Sequence, residues 1–347
     1  MGNVVSGGGH NSCDFCDVIS IENIFAAWKE FSKGKKSNKD VAEFNLRLEE
    51  NLFILHEDLV NGRFRLDPYK VSIIQDPKKR TIHIASVRDR VLFQAVHRKL
   101  YHVFNSSFIY DVYSSRNQKG THAGVKRLEV FSRKVSQNFT RQAYVLKCDI
   151  RKFFDSVDHD KLIRLISGKI QDVKLLIFIQ EIIESFNHTP EKGLPLGNVT
   201  SQLFANIYMN EFDQFIKHKL KARYYIRYCD DFVILDESKE QLKSHISVIA
   251  DFLKSEMDLD LHPRKLEIRK IYQGTDFLGY VSLPHYKVLR TSTKKRMLKK
   301  IARLRLDLET GLIDQEKLTN SICSYLGMLK HCRSEKIQGQ IERIFWD

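Results

Sequence analysis

The chain has 347 residues, 42% of them apolar, enough to bury a sizeable core and to divide into two or three subdomains. Its formal charge of +14 points to a polyanionic partner, and the lack of an apolar run of transmembrane length or a signal-peptide core excludes a membrane partner and places the chain in the cytoplasm. Six scattered cysteines exclude a disulfide framework and imply reduced thiols.

In chain order, Gly7-Gly8-Gly9 opens a flexible leader to about Ser20. His10, Cys13 and Cys16 sit within it, but no second close pair follows to complete a zinc site. Apolar residues at helical spacing (Ile24, Ala27, Trp28, Phe31, then Phe44, Leu48, Leu52, Leu55, Leu59) predict two helices between Ile21 and Asn61, broken at Gly34 to Lys39. Val71 to Ile74 and Thr81 to Ile84 predict a hairpin whose tip carries Lys78, Lys79 and Arg80. Ser86 opens a helix through Leu100, and Gly120 permits a turn beside Arg116 and Lys119 where backbone and cations can approach phosphates.

Tyr144 to Ile150 predicts a buried strand with Asp149 at its mouth, followed by Phe153-Phe154, one ring of which belongs to the core. Helices are expected from Leu162 to Phe186. The glycines and Pro195 of Gly193 to Gly197 then make a turn whose backbone can approach a nucleotide, and a helix from Ser201 packs Leu203, Ile207 and Phe212 inward. Tyr224 to Arg227 and Phe232 to Leu235 flank Tyr228-Cys229-Asp230-Asp231, two strands joined by a tight acidic turn. Adjacent carboxylates beside a hydrophobic sheet require a nearby cation, and hard oxygen ligands with open positions suit Mg²⁺. If the Asp149 strand neighbours this hairpin in one sheet, Asp149 and Asp230 can hold two ions for phosphoryl transfer.

Lys239 to Phe252 predicts an amphipathic helix, and Leu259 to Lys265 leads into a strand. From Thr291 to Leu308 a helix interleaves Leu298, Ile301, Leu304 and Leu308 with Lys294, Lys295, Arg296, Lys299, Lys300, Arg303 and Arg305, with no acid before Asp307. Such a stripe suits a helix lying along a nucleic-acid backbone. Two further helices are expected, about 315–330 and 335–345, leaving no length for an RNase H, endonuclease or large DNA-binding domain.

Asp149 with an aromatic five residues on, the Tyr-x-Asp-Asp box at Tyr228, and further blocks in the same order make the chain resemble a reverse transcriptase. The resemblance implies an α+β right-hand polymerase with an antiparallel palm sheet. N-terminal helices and fingers would occupy 21–140, the palm 141–285 with a helical insertion at about 162–190, and a helical thumb 286–347. Asp149 and Asp230 would bind two Mg²⁺ ions, with Mn²⁺ as a substitute and the Ile150 carbonyl assisting, while Asp231 is a weaker ligand or orients the site. Lys265 would protonate pyrophosphate or contact the triphosphate, and Arg80 and Lys78 at the fingers hairpin would meet the triphosphate of the incoming nucleotide. Phe154 becomes the steric gate against a 2′-hydroxyl and Phe153 the core ring, with Leu196 and Gly197 near the incoming nucleotide. Arg116 and Lys119 would follow the template; Ser201 and Gln202 would also meet nucleic acid; Phe277, Gly279 and Tyr280 would form the primer grip. Lys294, Lys295, Lys299 and Arg303 would line the duplex.

Most reverse transcriptases carry Gln-Gly where this chain has Leu196-Gly197, and Ser-Pro where it has Ser201-Gln202. With Lys119-Gly120-Thr121-His122, this resembles the enzymes of diversity-generating retroelements, which copy a template RNA into cDNA and misincorporate mainly opposite adenine. That implies template RNA, a cDNA/primer duplex, dNTPs and a small basic oligomeric accessory protein as partners. A group II intron or antiphage-defence enzyme, and a non-enzymatic RNA-binding protein on the same fold, remain as alternatives.

Overall fold

A computed structural model describes residues 13–75 and 79–346, the side chains of 345 and 346 excepted. Among them the chain runs α1 (Phe15–Ile19), α2 (Ile21–Phe31), α3 (Lys39–Leu46), α4 (Leu48–Val60), β1 (Lys70–Ile74), β2 (Arg80–Ile84), α5 (Val87–Asn105) and α6 (Thr121–Val135). Then come β3 (Tyr144–Asp149), α7 (Phe153–Ser156), α8 (His159–Ser167), α9 (Val173–Glu184), α10 (Val199–Gln214), β4 (Tyr224–Tyr228), β5 (Asp231–Asp236) and α11 (Lys239–Met257). The chain finishes with β6 (Glu267–Lys270), β7 (Thr275–Phe277), β8 (Tyr280–Ser282), β9 (Lys287–Leu289), α12 (Thr291–Glu309), α13 (Gln315–Leu329) and α14 (Glu335–Trp346). The fold is α+β with antiparallel sheets, and no helix among the described residues is long and apolar enough to cross a membrane.

Two units divide the chain, each assembled from three separated segments. The first comprises the residues up to Tyr110, Ile150–Lys219 and Ile249–Leu261. Its centre is α5, whose Val91, Leu92, Phe93, Ala95, Val96 and Leu100 are buried against α2 and α10. Ser20 caps α2, and Asn23 inside it donates to Val18 O (2.8 Å) and Ala95 O (3.1 Å), tying α1, α2 and α5 together. Within the leader expected to extend to Ser20, Phe15–Ile19 form a helix. Asp14 and Asp17 form a capping box that starts α1, burying Val18 and Ile19, while the Phe15 ring meets Phe178 at 5.3 Å. The β1–β2 hairpin pairs antiparallel with Val71 opposite His83 and Ile74 opposite Arg80.

The second unit comprises Asp111–Asp149, Leu220–Val248 and the chain from His262. Its four-stranded antiparallel sheet has the order β4-β5-β3-β6, and α6 packs against β4 and β5. Leu128, Phe131 and Val135 from α6 meet Val145, Ile226, Val233 and Leu235 from the sheet, so alternate strand residues supply one core face. A three-stranded sheet, β7-β8-β9, had no counterpart among the expected elements. Beyond it α12, α13 and α14 share a core of Met297, Ile301, Leu329, Ile337 and Ile341. All six cysteines are free thiols, as the composition suggested.

Candidate active site

Strands β4 and β5 close on a two-residue turn, Cys229-Asp230, in which Cys229 takes a left-handed φ of +56°. The strain is held by its surroundings. The Cys229 N–H donates to Ser114 Oγ (2.9 Å), and the buried guanidinium of Arg227 donates to the Cys229 carbonyl (3.0 Å). Residues 111–114 lie parallel to β4, with the Arg227 N–H donating to Asp111 O (3.0 Å) and the Tyr113 N–H to Arg227 O (2.9 Å). Arg127 on α6 grips the Asp111 carboxylate with two nitrogens at 2.7 and 3.2 Å. Ser114, Arg227, Asp111 and Arg127 were all missed in the sequence. The one signal that could have found any of them is a charged residue inside the apolar strand Tyr224–Tyr228.

Pairing of β3 with β5 puts Asp149 directly opposite Asp231, a cross-strand Cα distance of about 5 Å. Asp230 follows Cys229 in the turn. Asp149 is buried, and Lys265 Nζ forms an ion pair with its Oδ2. The His262 N–H donates to Asp149 O (2.8 Å) and the Lys265 N–H to His262 O (3.0 Å), which fixes the lysine's segment at the strand end. Burial, then the neighbouring Asp149, pushes the Asp230 carboxyl upward. Burial, then Asp230 and Asp149, pushes Asp231 up to about 7. Carboxylates so crowded, with one lysine among them, form a hard-oxygen set short of positive charge, and this fits a divalent cation such as Mg²⁺. Among the described residues no group of three or more His, Cys, Asp and Glu side chains is placed to hold a metal ion by itself, so the fit rests on the chemistry of Asp149, Asp230 and Asp231, with substrate oxygens left to complete the set. Nor do Cys13, buried, and Cys16, exposed, belong to any such group, and His10 lies outside the described residues.

The residues expected at the nucleotide lie in the first unit, apart from Lys78, which falls outside the described residues. Arg80 is exposed at the start of β2. Phe153 is fully buried while Phe154 is half-buried, their rings edge to face at 5.4 Å. The Phe154 carbonyl accepts the Leu194 N–H (2.7 Å), and Leu196 O accepts the His83 N–H (3.2 Å), so the glycine-rich turn is anchored both to α7 and to the hairpin. Gly197 has φ +116°, and a Cβ there would lie 3.1 Å from Ile82 Cγ2, so the turn needs glycine. Ile150 belongs to the same unit and bridges Leu261.

The residues expected at nucleic acid divide sharply by exposure. Arg116 and Lys119 sit in the loop that follows Ser114, with Lys119 Nζ 4.8 Å from the Tyr113 ring centre. Gln202 is exposed, but Ser201 is buried in the first turn of α10, which begins at Val199. Phe277 and Tyr280 are also buried, Phe277 in the sheet core and Tyr280 against α12–α14, its hydroxyl donating to Met328 O (3.1 Å). Ser201, Phe277 and Tyr280, three of the side chains expected at nucleic acid, are thus buried. The β7–β8 turn is half-buried: Leu278 (φ +50°) packs against both apolar cores of the unit, Gly279 (φ +89°) is also left-handed, and a Cβ on Gly279 would meet nothing closer than 4.0 Å. On α12, Lys295, Lys299 and Arg303 are exposed opposite the buried Met297 and Ile301, and Lys294 is half-buried. Arg305 instead turns inward, pairing with Glu309 (3.0 Å) and donating to Ile344 O (2.7 Å).

Three carboxylates at the ends of neighbouring antiparallel strands, braced from behind by a helix, define a polymerase palm. Residues 73–282, more than half of the chain, match the model of the family described as reverse transcriptase (RNA-dependent DNA polymerase), and the chain belongs to that family. It is an RNA-directed DNA polymerase. Protein YkfC of Escherichia coli K12 is 24% identical over 344 residues, covering 88% of this chain and 84% of that one. The group II intron-encoded protein LtrA of Lactococcus lactis is 24% identical, covering 72% of this chain but only 51% of its own length. The retron Ec73 reverse transcriptase of Escherichia coli is 25% identical, covering 60% of this chain and 68% of its own. A structure of apo telomerase from Candida tropicalis superposes with a TM-score of 0.48 at 13% identity, covering 70% of this chain and 60% of that one.

Proposed function

We propose that the chain extends a DNA primer along an RNA template, with Asp149 and Asp230 as the principal holders of two Mg²⁺ ions, Mn²⁺ substituting. The observation that carries this is the convergence of Asp149, Asp230 and Asp231 at one end of the sheet, with Asp149 opposite Asp231. Bound there, the ions would supply activation of the primer hydroxyl and charge neutralisation on the leaving pyrophosphate. The Ile150 carbonyl adds a ligand, and Asp231 orients the set. Lys265, held on Asp149, carries the proton for pyrophosphate or contacts the triphosphate.

Residues 21–140 act as N-terminal helices and fingers, 141–285 as the palm and 286–347 as a helical thumb. Arg80 meets the triphosphate, Lys78 being assigned there on the same grounds. The half-exposed Phe154 ring rejects a 2′-hydroxyl, Arg116 and Lys119 follow the template, and the Leu278-Gly279 turn lets the primer backbone approach. Lys294, Lys295, Lys299 and Arg303 follow the duplex.

Within this activity, Leu196 supports the diversity-generating reading: an aliphatic residue replaces an amide beside the nascent pair, removing a hydrogen-bonding group and relaxing base discrimination. A structured template RNA and a basic oligomeric accessory protein belong to that reading. The intron-encoded and retron relatives support a second reading, a group II intron-like or retron-like enzyme of ordinary fidelity. Primer extension on a defined RNA template with dNTPs and Mg²⁺, sequenced by template base, separates them. Errors concentrated opposite adenine and reduced severalfold by Leu196→Gln support the first; even, low error rates support the second. Failure to extend any RNA-templated primer overturns both.

A further inference from the structure

A second concavity of the sheet-bearing unit, about 330 Å³, opens where the end of α6, the β8–β9 turn and the α13–α14 loop meet. It is separate from the carboxylates. Ile271 in its wall donates its N–H to Ala143 O (3.0 Å), just ahead of β3, and Asp149 ends that strand six residues further, about 20 Å along it.

Cations from all three elements line it. Arg133 and Lys330 are exposed, and neither has an acidic partner among the described residues. Lys287 is neutralised by Glu129 at 2.8 Å, and Arg333 lies 5.7 Å from the Tyr286 ring centre with Glu335 at 3.8 Å. Ser282, only 6% exposed, also lines the concavity, and its Oγ has no hydrogen-bond partner. Tyr286 is 46% exposed at the rim. Unpaired cations, an orphaned buried hydroxyl and a half-exposed ring that carries Arg333 over one face are the complement of a nucleotide: phosphate for the first two, a base for the third. Only an unpaired base has a face free to stack, which selects a single strand over a duplex.

We propose that this concavity binds a nucleotide of a single-stranded RNA segment outside the catalytic channel. The phosphate is held by Arg133 and Lys330, with the Ser282 hydroxyl donating to it, and the base lies on Tyr286. This deepens the RNA-templated reading and rests on it for the choice of RNA.

The test uses the full chain and a fluorescein-labelled single-stranded 12-nucleotide RNA, followed by anisotropy across a salt series. Arg133→Gln with Lys330→Gln is expected to weaken binding about tenfold and to flatten the salt slope by about 1.4, two single-strand phosphate contacts at about 0.7 each. Tyr286→Ala is expected to weaken it about fivefold with the slope unchanged. Both variants should keep wild-type melting curves and wild-type kcat on a primer–template with a three-nucleotide overhang. Unchanged 12-mer binding in both variants overturns the proposal. So does an equal loss on a blunt duplex, which marks general surface charge, or displacement of the RNA by equimolar ATP or pyrophosphate, which marks a small-anion site. Loss of primer extension in the wild type would strike the functional reading alone, because the 12-mer arm reads the concavity without catalysis.

Discussion

Asp230 and Asp231 are acids held where ionisation is unfavourable: burial and then Asp149 push Asp230 upward, and burial and then Asp230 and Asp149 push Asp231 up to about 7. A raised carboxyl favours the fold fully below its unfolded pKa of about 4, and that contribution is lost as pH climbs through the folded value. Without metal, the melting temperature should therefore fall between about pH 4 and pH 7 by more than in an Asp231→Asn variant. Mg²⁺ takes over the proton's role, so the rise in melting temperature on adding it should be larger at pH 8 than at pH 5; a pH-independent rise would argue against binding at these groups. Asp149→Ala or Asp230→Ala should cut kcat for primer extension by about 10³-fold or more while leaving RNA binding intact, as measured by single-turnover kinetics beside a filter-binding assay. Ser114 touches no reacting atom, yet it accepts the Cys229 N–H at the base of the acidic turn. Ser114→Ala leaves that donor without its partner, a loss of about 1 kcal/mol, and should lower kcat about fivefold with KM unchanged.

Single elements carry the next set of expectations. Gly197→Ala puts a Cβ 3.1 Å from Ile82 Cγ2 at φ +116°, and should cost about 1–2 kcal/mol in urea unfolding, more than the same change at an open position such as Gly120. On α12, changing Lys295, Lys299 and Arg303 together to Gln should flatten the salt dependence of duplex binding by about 2 to 3. Arg305→Gln should not flatten it, because that side chain is already committed to Glu309 and Ile344 O. The strands that bear the acids were readable because dense β-branched and aromatic residues leave no competing conformation for Tyr144–Asp149 or Asp231–Asp236. The segment 111–114 was not, since its pairing with β4 is a parallel contact between residues more than a hundred positions apart, with no local pattern to announce it. Burial of Phe277 and Tyr280 was hidden for a related reason: which face of a three-residue strand looks inward depends on what packs there, here α6 and the three last helices. Helix α1 was hidden behind the glycines before it, although Asp14 and Asp17 at capping-box spacing were in view.

At the scale of the molecule, the charge of +14 and the exposed cations of α12 belong to one expectation. If six to eight phosphates are neutralised, log K for a primer–template should fall with log salt at a slope of roughly −5 to −7, measured between 50 and 300 mM KCl. A slope near −2 would confine the contact to a single element. The division into units has a consequence for synthesis. The first unit needs its residues up to Tyr110, but also the stretch Ile249–Leu261, so its first segment, once complete at Tyr110, waits for roughly 150 more residues to be translated. At about 5–20 residues per second that delay is on the order of 10–30 s, during which α5 has no α10 to cover it for much of the time. Nor can the second unit be made alone from one contiguous stretch, because the first is threaded through it at Ile150–Lys219. A nascent chain stalled before Leu261 should therefore be held by chaperones and cut readily by protease, and neither half of the gene should yield a folded fragment.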